Sequence, residues 1–425
     1  MDAKLYRTYV EILEQELVPA MGCTEPIAIA YAAALARQTL GARPEKVVLR
    51  VSGNIIKNVK SVIVPHTGGR KGLKTATAAG ICYGDAAKEL EVLAHAGEED
   101  LPALDEFLRT VPIDVQESDS GRVFDLQVEV AAGTQTASVH IIDEHTNVVG
   151  IRKNGTVLLE KSCEPSEKTA DKRKELSVEQ IVAFADSLHP DDVRTVLQRQ
   201  ISYNIRIAEE GLRGQYGANV GRILLRSYGN SVQNRAKAWA AAGSDARMNG
   251  CELPVVINSG SGNQGMTASI PVIVYARECG VSEELLLRAL AVSNLVTIHL
   301  KSGIGSLSAY CGATSAGVGA GAGICYLHGG HYAEIAHTIV NALAINSGMI
   351  CDGAKASCAA KIASAVEAGL LGWQMNAHDS QFRSGDGIVV KGVENTIRAV
   401  SAIARDGMRA TDSEIIHQML EQTQG

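Results

Sequence analysis

A long succession of helical patterns built from small side chains constrains the fold of this chain more than any other feature. It covers most of the chain after residue 177, in the segments 178–187, 190–213, 218–242, 282–300, 332–347, 354–368 and 392–408. The chain contains 42 glycines, and aromatic residues make up only 4% of it. Because small side chains let helix axes approach closely, we expect tightly packed helices.

A different pattern interrupts the helices over residues 45–165. Short β-branched runs predict strands at 47–51, 62–64, 123–130, 137–142 and 148–151. Helical sequence at 74–95 and 101–109 separates the second run from the third, and the last three strands have short connections. We therefore predict an α/β domain with a largely antiparallel sheet, followed by a polar linker over 164–175.

The first 42 residues are again helical in pattern. One apolar helical face extends over 3–17 and ends before Pro19, and a second helix begins near Pro26 and continues to about Leu40. We expect this pair to pack with the later helices. The predicted fold class is α+β, in which a large all-α domain of residues 1–42 and 170–425 carries the inserted smaller α/β module of residues 45–165.

Charge and hydropathy exclude several function classes. The formal net charge is −7 and the pI is near 5.9, whereas nucleic acid or an anionic membrane would favour a concentrated basic face. Residues 1–17 carry acidic side chains among apolar ones, which indicates an amphipathic helix and not a signal peptide. No run of about 20 strongly hydrophobic residues predicts a membrane span. We expect a cytoplasmic protein.

Three cysteines are the main chemical clue. The chain has nine cysteines without a paired framework, which favours a reducing compartment, and Cys311, Cys351 and Cys358 lie in its most apolar, glycine-rich third. Three thiolates at one pocket would hold an iron–sulfur cluster with one iron left open. Buried cysteines also serve as small apolar residues, and the spacing leaves both interpretations open.

The separation of the last two cysteines predicts their local structure. Seven residues span about 10 Å along a straight helix, which is too far for comfortable sharing of a small cluster. We therefore predict that Cys351 lies in a turn at Asp352 and Gly353, and that Cys358 lies early in the next helix.

Cys23 is a fourth candidate, at or just before a helix N-terminus and beside Thr24 and Glu25. Exposed amides and the helix dipole favour a thiolate or a bound carboxylate at such a position. Cys23 is a base, a fourth cluster ligand or an inert residue. We favour the base, because four thiolate ligands would leave no open iron.

Loops supply the remaining candidates. The glycine-rich segments 258–265 and 301–306 could bind a small carboxylate through backbone amides, although glycine also serves tight turns and helix packing. Neither segment has the phosphate-loop pattern. Segments 52–58 and 65–72 of the α/β module carry amides and cations at strand ends, although such cations are more often simply solvated.

Three motifs together resemble the L-cysteine desulfidase family, which is related to the α-domain of bacterial iron–sulfur L-serine dehydratases. They are Gly22-Cys23-Thr24-Glu25-Pro26, Ser259-Gly260-Ser261-Gly262-Asn263-Gln264-Gly265, and the segment from Met349 through Cys351 to Cys358. The resemblance extends over essentially the whole chain. It implies a lyase that breaks L-cysteine into pyruvate, ammonia and sulfide without pyridoxal phosphate.

The resemblance also implies residue roles. A [4Fe–4S] cluster would be held by Cys311, Cys351 and Cys358, and Cys23 would lie near the substrate as the base at Cα, although Cys23 and Cys358 could exchange roles. The predicted substrate-binding residues are Thr24, Asn54, Lys57, Asn263 and Lys301. Because a solvent-open iron is sensitive to oxygen, we expect aerobic preparations to lack the cluster.

Other functions stay open at this point. L-serine dehydration could use the same cluster, and a cysteine-based metal or redox sensor would bind a cluster without catalysis. A sensor would ordinarily need a nucleic-acid-binding element, and the sequence has none. A pyridoxal phosphate lyase could use Lys301 or Lys355, but no accompanying fold pattern is present. We expect a small amino acid as the ligand, and a homodimer is left open.

Overall fold

The computed structural model describes residues 1–161, 172–305 and 307–421. Of the predicted linker, only Lys172–Glu175 lies within the described residues, and it forms a 3-10 helix. The helices are α1 Ala3–Glu16, α2 Thr24–Leu40, α3 Gly53–Val59, α4 Leu73–Tyr83, α5 Leu101–Thr110, α6 Val178–Ser187, α7 Pro190–Arg213, α8 Val220–Tyr228, α9 Val232–Met248, α10 Gly262–Cys279, α11 Glu283–Ile304, α12 Gly312–Leu327, α13 Tyr332–Ile345, α14 Cys358–Ala377, α15 Val393–Ala402 and α16 Arg409–Glu421.

The strands form two sheets. They are β1 Pro19–Met21, β2 Lys46–Val51, β3 Ile113–Glu117, β4 Asp125–Ala132, β5 Gln135–Ile142, β6 Val148–Lys153, β7 Thr156–Glu160 and β8 Pro254–Val256. The larger sheet has the order β3-β2-β4-β5-β6-β7, and all of its pairs except β2 with β3 are antiparallel. The α+β fold class with a large helical part, a smaller α/β part and a largely antiparallel sheet is therefore confirmed.

Several predicted elements differ from the structure. The run 62–64 is not a strand, because only Ile63 makes an isolated bridge, to Lys71. The helix predicted over 74–95 ends at Tyr83 and is followed by a 3-10 helix at Ala86–Glu91. The stretch 218–242 is two helices, because Gly229 between them adopts a φ of 77° that stops α8.

The N-terminal helices contact different parts of the fold. Helix α1 packs against α7, whereas α2 packs against α4 and against strands β4 and β5. Helix α2 therefore covers the large sheet while its N-terminus faces the later helices. The division into two domains stays a prediction.

One helix of the described residues is long and apolar enough to cross a membrane by length and composition. This helix is α11, and 72% of its most apolar window is buried inside the protein. A core helix of a globular protein passes the same test, and α11 packs against α12, α10 and α6.

A two-stranded sheet brings two distant motifs together. Strand β1 pairs antiparallel with β8, so that the segment leading into α2 lies beside the loop leading into α10. Gly22 makes the turn between β1 and α2 with a φ of 63°, and a Cβ there would lie 2.3 Å from Pro65 Cγ. The Thr24 hydroxyl then donates a 2.9 Å hydrogen bond to the carbonyl of Gly260.

Close helix packing brings two of the cysteines together. A Cβ on Gly317 of α12 would lie 2.2 Å from the carbonyl oxygen of Ala365 in α14, and a Cβ on Gly321 would lie 2.5 Å from that of Gly369. Contacts that advance by four residues on both helices show that α12 and α14 run parallel. Both helices therefore begin side by side, with Cys311 and Cys358 at their starts.

We predict that Gly369→Ala destabilises the protein by about 1–3 kcal/mol, because overpacking outweighs the better helix propensity of alanine. A Cβ at residue 369 would lie 2.0 Å from the carbonyl oxygen of Gly317. Gly407→Ala is the matched control, since its nearest contact would be 3.9 Å away. Urea unfolding measures both variants, and equal midpoints would contradict this account of the helix contact.

Candidate functional site

A small cavity of about 110 Å³ lies where α2, α10, α12 and α14 begin. Seven of the predicted site residues line it: Cys23, Thr24, Asn263, Lys301, Cys311, Cys351 and Cys358. The other two, Asn54 and Lys57, belong to α3 and are not among the residues lining this cavity. Their predicted contact with a substrate is therefore not supported by this arrangement.

Backbone pairing holds Cys311 beside Cys351. Tyr310 and Ile350 form an antiparallel bridge, in which the amide of Cys311 donates to Met349 and the amide of Cys351 donates to Ala309. Because side chains alternate along extended chains, the two cysteines lie on the same face of this bridge as diagonal neighbours.

Cys358 is the first residue of α14 and lies beyond the turn that contains Gly353. Gly353 has a φ of 91°, and a Cβ there would lie 2.4 Å from the carbonyl oxygen of Lys57. The Cys358 thiol faces the carbonyl of Gly353 at 3.7 Å. The predicted turn after Cys351 and the predicted helix start at Cys358 are both confirmed.

The thiols differ in electrostatics. The hydrogen bond from Cys311 lowers the pKa of Cys351 to about 6, and the positive charges of Lys57 and Lys301 act in the same direction. Donating that hydrogen bond, together with burial, raises the pKa of Cys311. Burial also raises the pKa of Cys358. Cys351 is therefore the thiol of the three that ionises most readily.

The two lysines have different surroundings. Lys301 lines the cavity, and burial lowers its pKa to about 8 although Cys351 and Cys311 oppose that shift. The Lys57 side chain is 1% exposed and forms an ion pair with Asp412 of α16. Lys57 thus acts on the site through Cys351 while its ammonium group is held by the last helix.

Cys23 belongs to a buried polar network. Its thiol donates a 3.0 Å hydrogen bond to Glu25 Oε2, and Thr24 Oγ1 lies 3.2 Å from the same oxygen. His145, from the turn between β5 and β6, has its Nε2 atom 3.9 Å from Glu25 Oε1. Although burial raises the pKa of Glu25, the hydrogen bond and charge of His145 lower it to about 2.

This network changes one expectation from the sequence. Burial and the neighbouring Glu25 charge raise the pKa of Cys23 well above its ordinary value, and the opposing effect of Arg247 is smaller. Cys23 is therefore a thiol in this arrangement, and the expectation that the helix N-terminus lowers its pKa is wrong. The local helix effect is outweighed by desolvation and by a carboxylate two residues away.

Arg247 was missed by the sequence analysis. It lies at the end of α9, is 2% exposed and lines the cavity. Its Nη1 donates a 3.1 Å hydrogen bond to Asn263 Oδ1 at the start of α10. An arginine inside a helix ordinarily indicates a solvated surface, and only the tertiary structure brings Asn263 to it.

The sequence comparisons agree with one another. Residues 88–417 match the family model described as serine dehydratase alpha chain. The chain is 57% identical to the UPF0597 protein of Desulfitobacterium hafniense (strain Y51) over 99% of this chain and 98% of that protein. It is 49% identical to the UPF0597 protein of Lachnoclostridium phytofermentans over 98% of this chain and 100% of that protein.

This chain belongs to the serine dehydratase alpha chain family. Membership indicates a lyase of the serine dehydratase type, from a family that is typically associated with iron–sulfur clusters. The names of the relatives specify no substrate. The resemblance to iron–sulfur serine dehydratases is thus confirmed at the family level.

The chemistry of the three thiols is that of iron–sulfur ligands. No group of three Cys, His, Asp or Glu side chains within 1–161, 172–305 and 307–421 is arranged to hold one metal ion. A [4Fe–4S] cluster is ligated at separate iron atoms, so its cysteines stand further apart than the ligands of one zinc ion. Three thiols around one cavity, two of them adjacent, fit that requirement.

A larger cavity of about 610 Å³ lies elsewhere, between the C-terminal ends of α2 and α4. Arg37, Arg43, Cys82 and Phe107 are among its lining residues, and none of the predicted site residues is. Arg37 donates to the carbonyl of Gly84, and Arg43 lies 3.5 Å from Glu106. We favour the smaller cavity as the functional site, because the cysteines, the buried cations and the helix starts all meet there.

We predict that Cys311→Ala slows alkylation of Cys351 in cluster-free protein, because the substitution removes the hydrogen bond that stabilises the Cys351 thiolate. Loss of this hydrogen bond raises the pKa of Cys351 from about 6 towards the ordinary range of a thiol, so the thiolate fraction at pH 7 falls. Iodoacetamide labelling followed by peptide mass spectrometry gives the rate, with the exposed Cys279 as internal reference and Cys325→Ala as control variant. Unchanged labelling of Cys351 would contradict the predicted stabilisation.

Proposed function

We propose that this chain is a carbon–sulfur lyase that converts L-cysteine into pyruvate, ammonia and hydrogen sulfide by β-elimination, without pyridoxal phosphate, in the cytoplasm. The observation that carries the proposal is that Cys23 and the three cysteines Cys311, Cys351 and Cys358 line one cavity. Membership of the serine dehydratase alpha chain family supports the reaction class.

The proposed cofactor is a [4Fe–4S] cluster held by Cys311, Cys351 and Cys358. When bound, it supplies an open iron that acts as a Lewis acid on the β-substituent of the amino acid. Cys23 is the weaker fourth candidate for a ligand, because its thiol donates to the Glu25 carboxylate at 3.0 Å. A thiolate ligand at that position would lie against a negative charge.

Cys23 is the proposed base at Cα. In the resting arrangement it is a thiol, so it must lose its own proton before it can accept one from the substrate. Glu25 accepts the hydrogen bond of that thiol and stays ionised, because His145 stabilises its charge, so the Cys23 proton leaves to solvent as the pH rises. The reaction then removes the Cα proton and breaks the Cβ–S bond, and the aminoacrylate product tautomerises and hydrolyses to pyruvate and ammonia.

The remaining side chains orient the substrate in this proposal. Thr24 and Asn263 line the cavity at the starts of α2 and α10, where the amides favour a carboxylate. Lys301 adds a buried positive charge beside Cys311 and Cys351. Lys57 does not line the cavity, but its positive charge stabilises the negative charge of Cys351.

L-serine dehydration is the second candidate, favoured by the description of the matching family model. The two reactions differ in whether sulfur or oxygen leaves Cβ. Anaerobic reconstitution with iron and sulfide, followed by pyruvate assays with both amino acids, separates them. We expect a higher kcat/KM for L-cysteine, and a preference for L-serine would replace the first candidate by the second.

We predict that Cys358→Ser and Cys23→Ser lose activity for different reasons. A full cluster contains about four irons per chain, and Cys358→Ser should bind far fewer. Cys23→Ser should keep its iron, and its kcat should fall at least about 100-fold. Iron and sulfide counting, the absorbance near 400 nm and pyruvate formation give the readouts. Cys251→Ser is the control, because Cys251 is buried outside this cavity.

If Cys23→Ser lost its iron while Cys358→Ser kept its iron and lost kcat, the two cysteines would exchange their proposed roles. If both variants kept their iron and their activity, neither residue would have a part in the reaction, and the lyase proposal would fail.

We predict that Glu25→Gln moves the rising limb of the pH profile of kcat/KM to lower pH. The Glu25 charge and hydrogen bond raise the pKa of Cys23, so their removal lowers it and the thiolate forms at lower pH. The exposed Glu179→Gln removes the same charge outside the cavity and should leave the profile unchanged. A shift to higher pH, or no shift, would show that Cys23 ionisation does not govern the rate.

A further inference from the structure

Arg247 brings a buried positive charge to the wall of the cavity. The Arg247 side chain forms no ion pair with an acidic side chain within residues 1–161, 172–305 and 307–421, and it is 2% exposed. Its Nε atom is buried and has no hydrogen-bond partner in that part of the chain. Because burying an unpaired charge is costly, such an arginine indicates an anion that binds there.

The immediate surroundings of Arg247 are shaped for a ligand. Asp245, two residues earlier, accepts from the amide of Gly221 at the start of α8 instead of pairing with Arg247. A Cβ on Gly262 would lie 2.4 Å from Arg247 Nε, so only glycine lets the guanidinium lie against the first turn of α10. Asn263 Oδ1 accepts from Nη1 and fixes the orientation of the guanidinium plane.

The same place is the N-terminus of an 18-residue helix. Ser261 is the N-cap residue of α10, but its side chain makes no capping hydrogen bond. The amides of the first turn therefore stay available, and the helix dipole favours negative charge at this end. A guanidinium and a helix N-terminus together match a carboxylate, which guanidinium groups bind through two parallel hydrogen bonds.

The cavity brings Arg247 and the cysteines to the same small space of about 110 Å³. Cys23 lines the same cavity as Arg247 and packs in one apolar cluster with Cys358 and with Met248, the residue after Arg247. The anion-binding end and the thiol end of the cavity are thus both next to Cys23. In an α-amino acid only Cα and Cβ separate the carboxylate carbon from the β-substituent.

We infer that Arg247, oriented by Asn263 and helped by the first-turn amides of α10, binds the α-carboxylate of the substrate and selects free α-amino acids over their esters and amides. The identity of the amino acid rests on the proposed function, whereas the carboxylate site does not. The role is one of substrate binding, so its loss should raise KM more than it lowers kcat.

The kinetic test compares L-cysteine with L-cysteine methyl ester in the reconstituted enzyme. Arg247→Met should lower kcat/KM for L-cysteine about 100-fold, mainly through KM, and change that for the ester less than about threefold. Arg247→Lys keeps the charge but not the bidentate geometry, and should give an intermediate loss. Arg235→Met is the matched control, because Arg235 lies on the same helix and pairs with Glu278 outside the cavity.

A binding test separates this inference from the reaction itself. In cluster-free protein, L-alanine should raise the unfolding temperature of the wild type and of Arg235→Met, whereas L-alaninamide should not. Arg247→Met should lose the response to L-alanine. This result would support the carboxylate site even if no amino acid gave pyruvate.

Equal stabilisation by L-alanine and L-alaninamide would overturn the inference, as would an equal loss of kcat/KM for acid and ester in Arg247→Met. If Arg247→Met does not fold, as judged by circular dichroism, the comparison of acid and ester in Arg247→Lys decides. Unchanged preference for the acid in that variant would then reject the bidentate contact.

Discussion

Four helices begin at the wall of one small cavity, and each begins without a side-chain cap. The N-cap residues are Cys23 for α2, Ser261 for α10, Cys311 for α12 and Ser357 for α14. By contrast, Ser177 and Ser282 cap α6 and α11 with their hydroxyls in the ordinary way. A side-chain cap stabilises a helix by about 1 kcal/mol, so four helices without one cost stability. The positive dipole ends of all four helices lie at the cavity.

The small residues make this convergence geometrically possible. Helices α12 and α14 can begin together only because Gly317 and Gly369 let their backbones touch. Gly265 plays the same role for α10, since a Cβ there would lie 2.0 Å from the carbonyl oxygen of Val256 in β8. The abundance of glycine is therefore part of how the site is built, beyond its effect on the overall packing.

The elements that can be predicted from the sequence are those that a local rule decides. The rise of an α-helix excluded a straight helix from Cys351 to Cys358, and the turn between them follows from that rule. The sequence does not predict α10 and α12, because their glycine-rich starts resemble loops and Pro271 inside α10 argues against a helix. The strand predicted at 62–64 is also wrong, because Val62 packs against Cys23 and Met248 instead of joining the sheet.

The sequence does not predict the role of side chains that act through tertiary contacts. His145 lies in a polar turn that is indistinguishable from a solvated loop until the structure brings it to Glu25. Arg247 lies near the end of α9, whereas its hydrogen-bond partner Asn263 lies at the start of α10. The pKa of Cys23 depends on burial, which no local pattern reports.

The ion pair between Lys57 and Asp412 makes the electrostatics of the site depend on α16. It links the last helix to the lysine whose charge favours the Cys351 thiolate, and α16 packs directly on α3. Displacement of α16 would leave the Lys57 ammonium group without the carboxylate that holds it, and so change the electrostatics at Cys351.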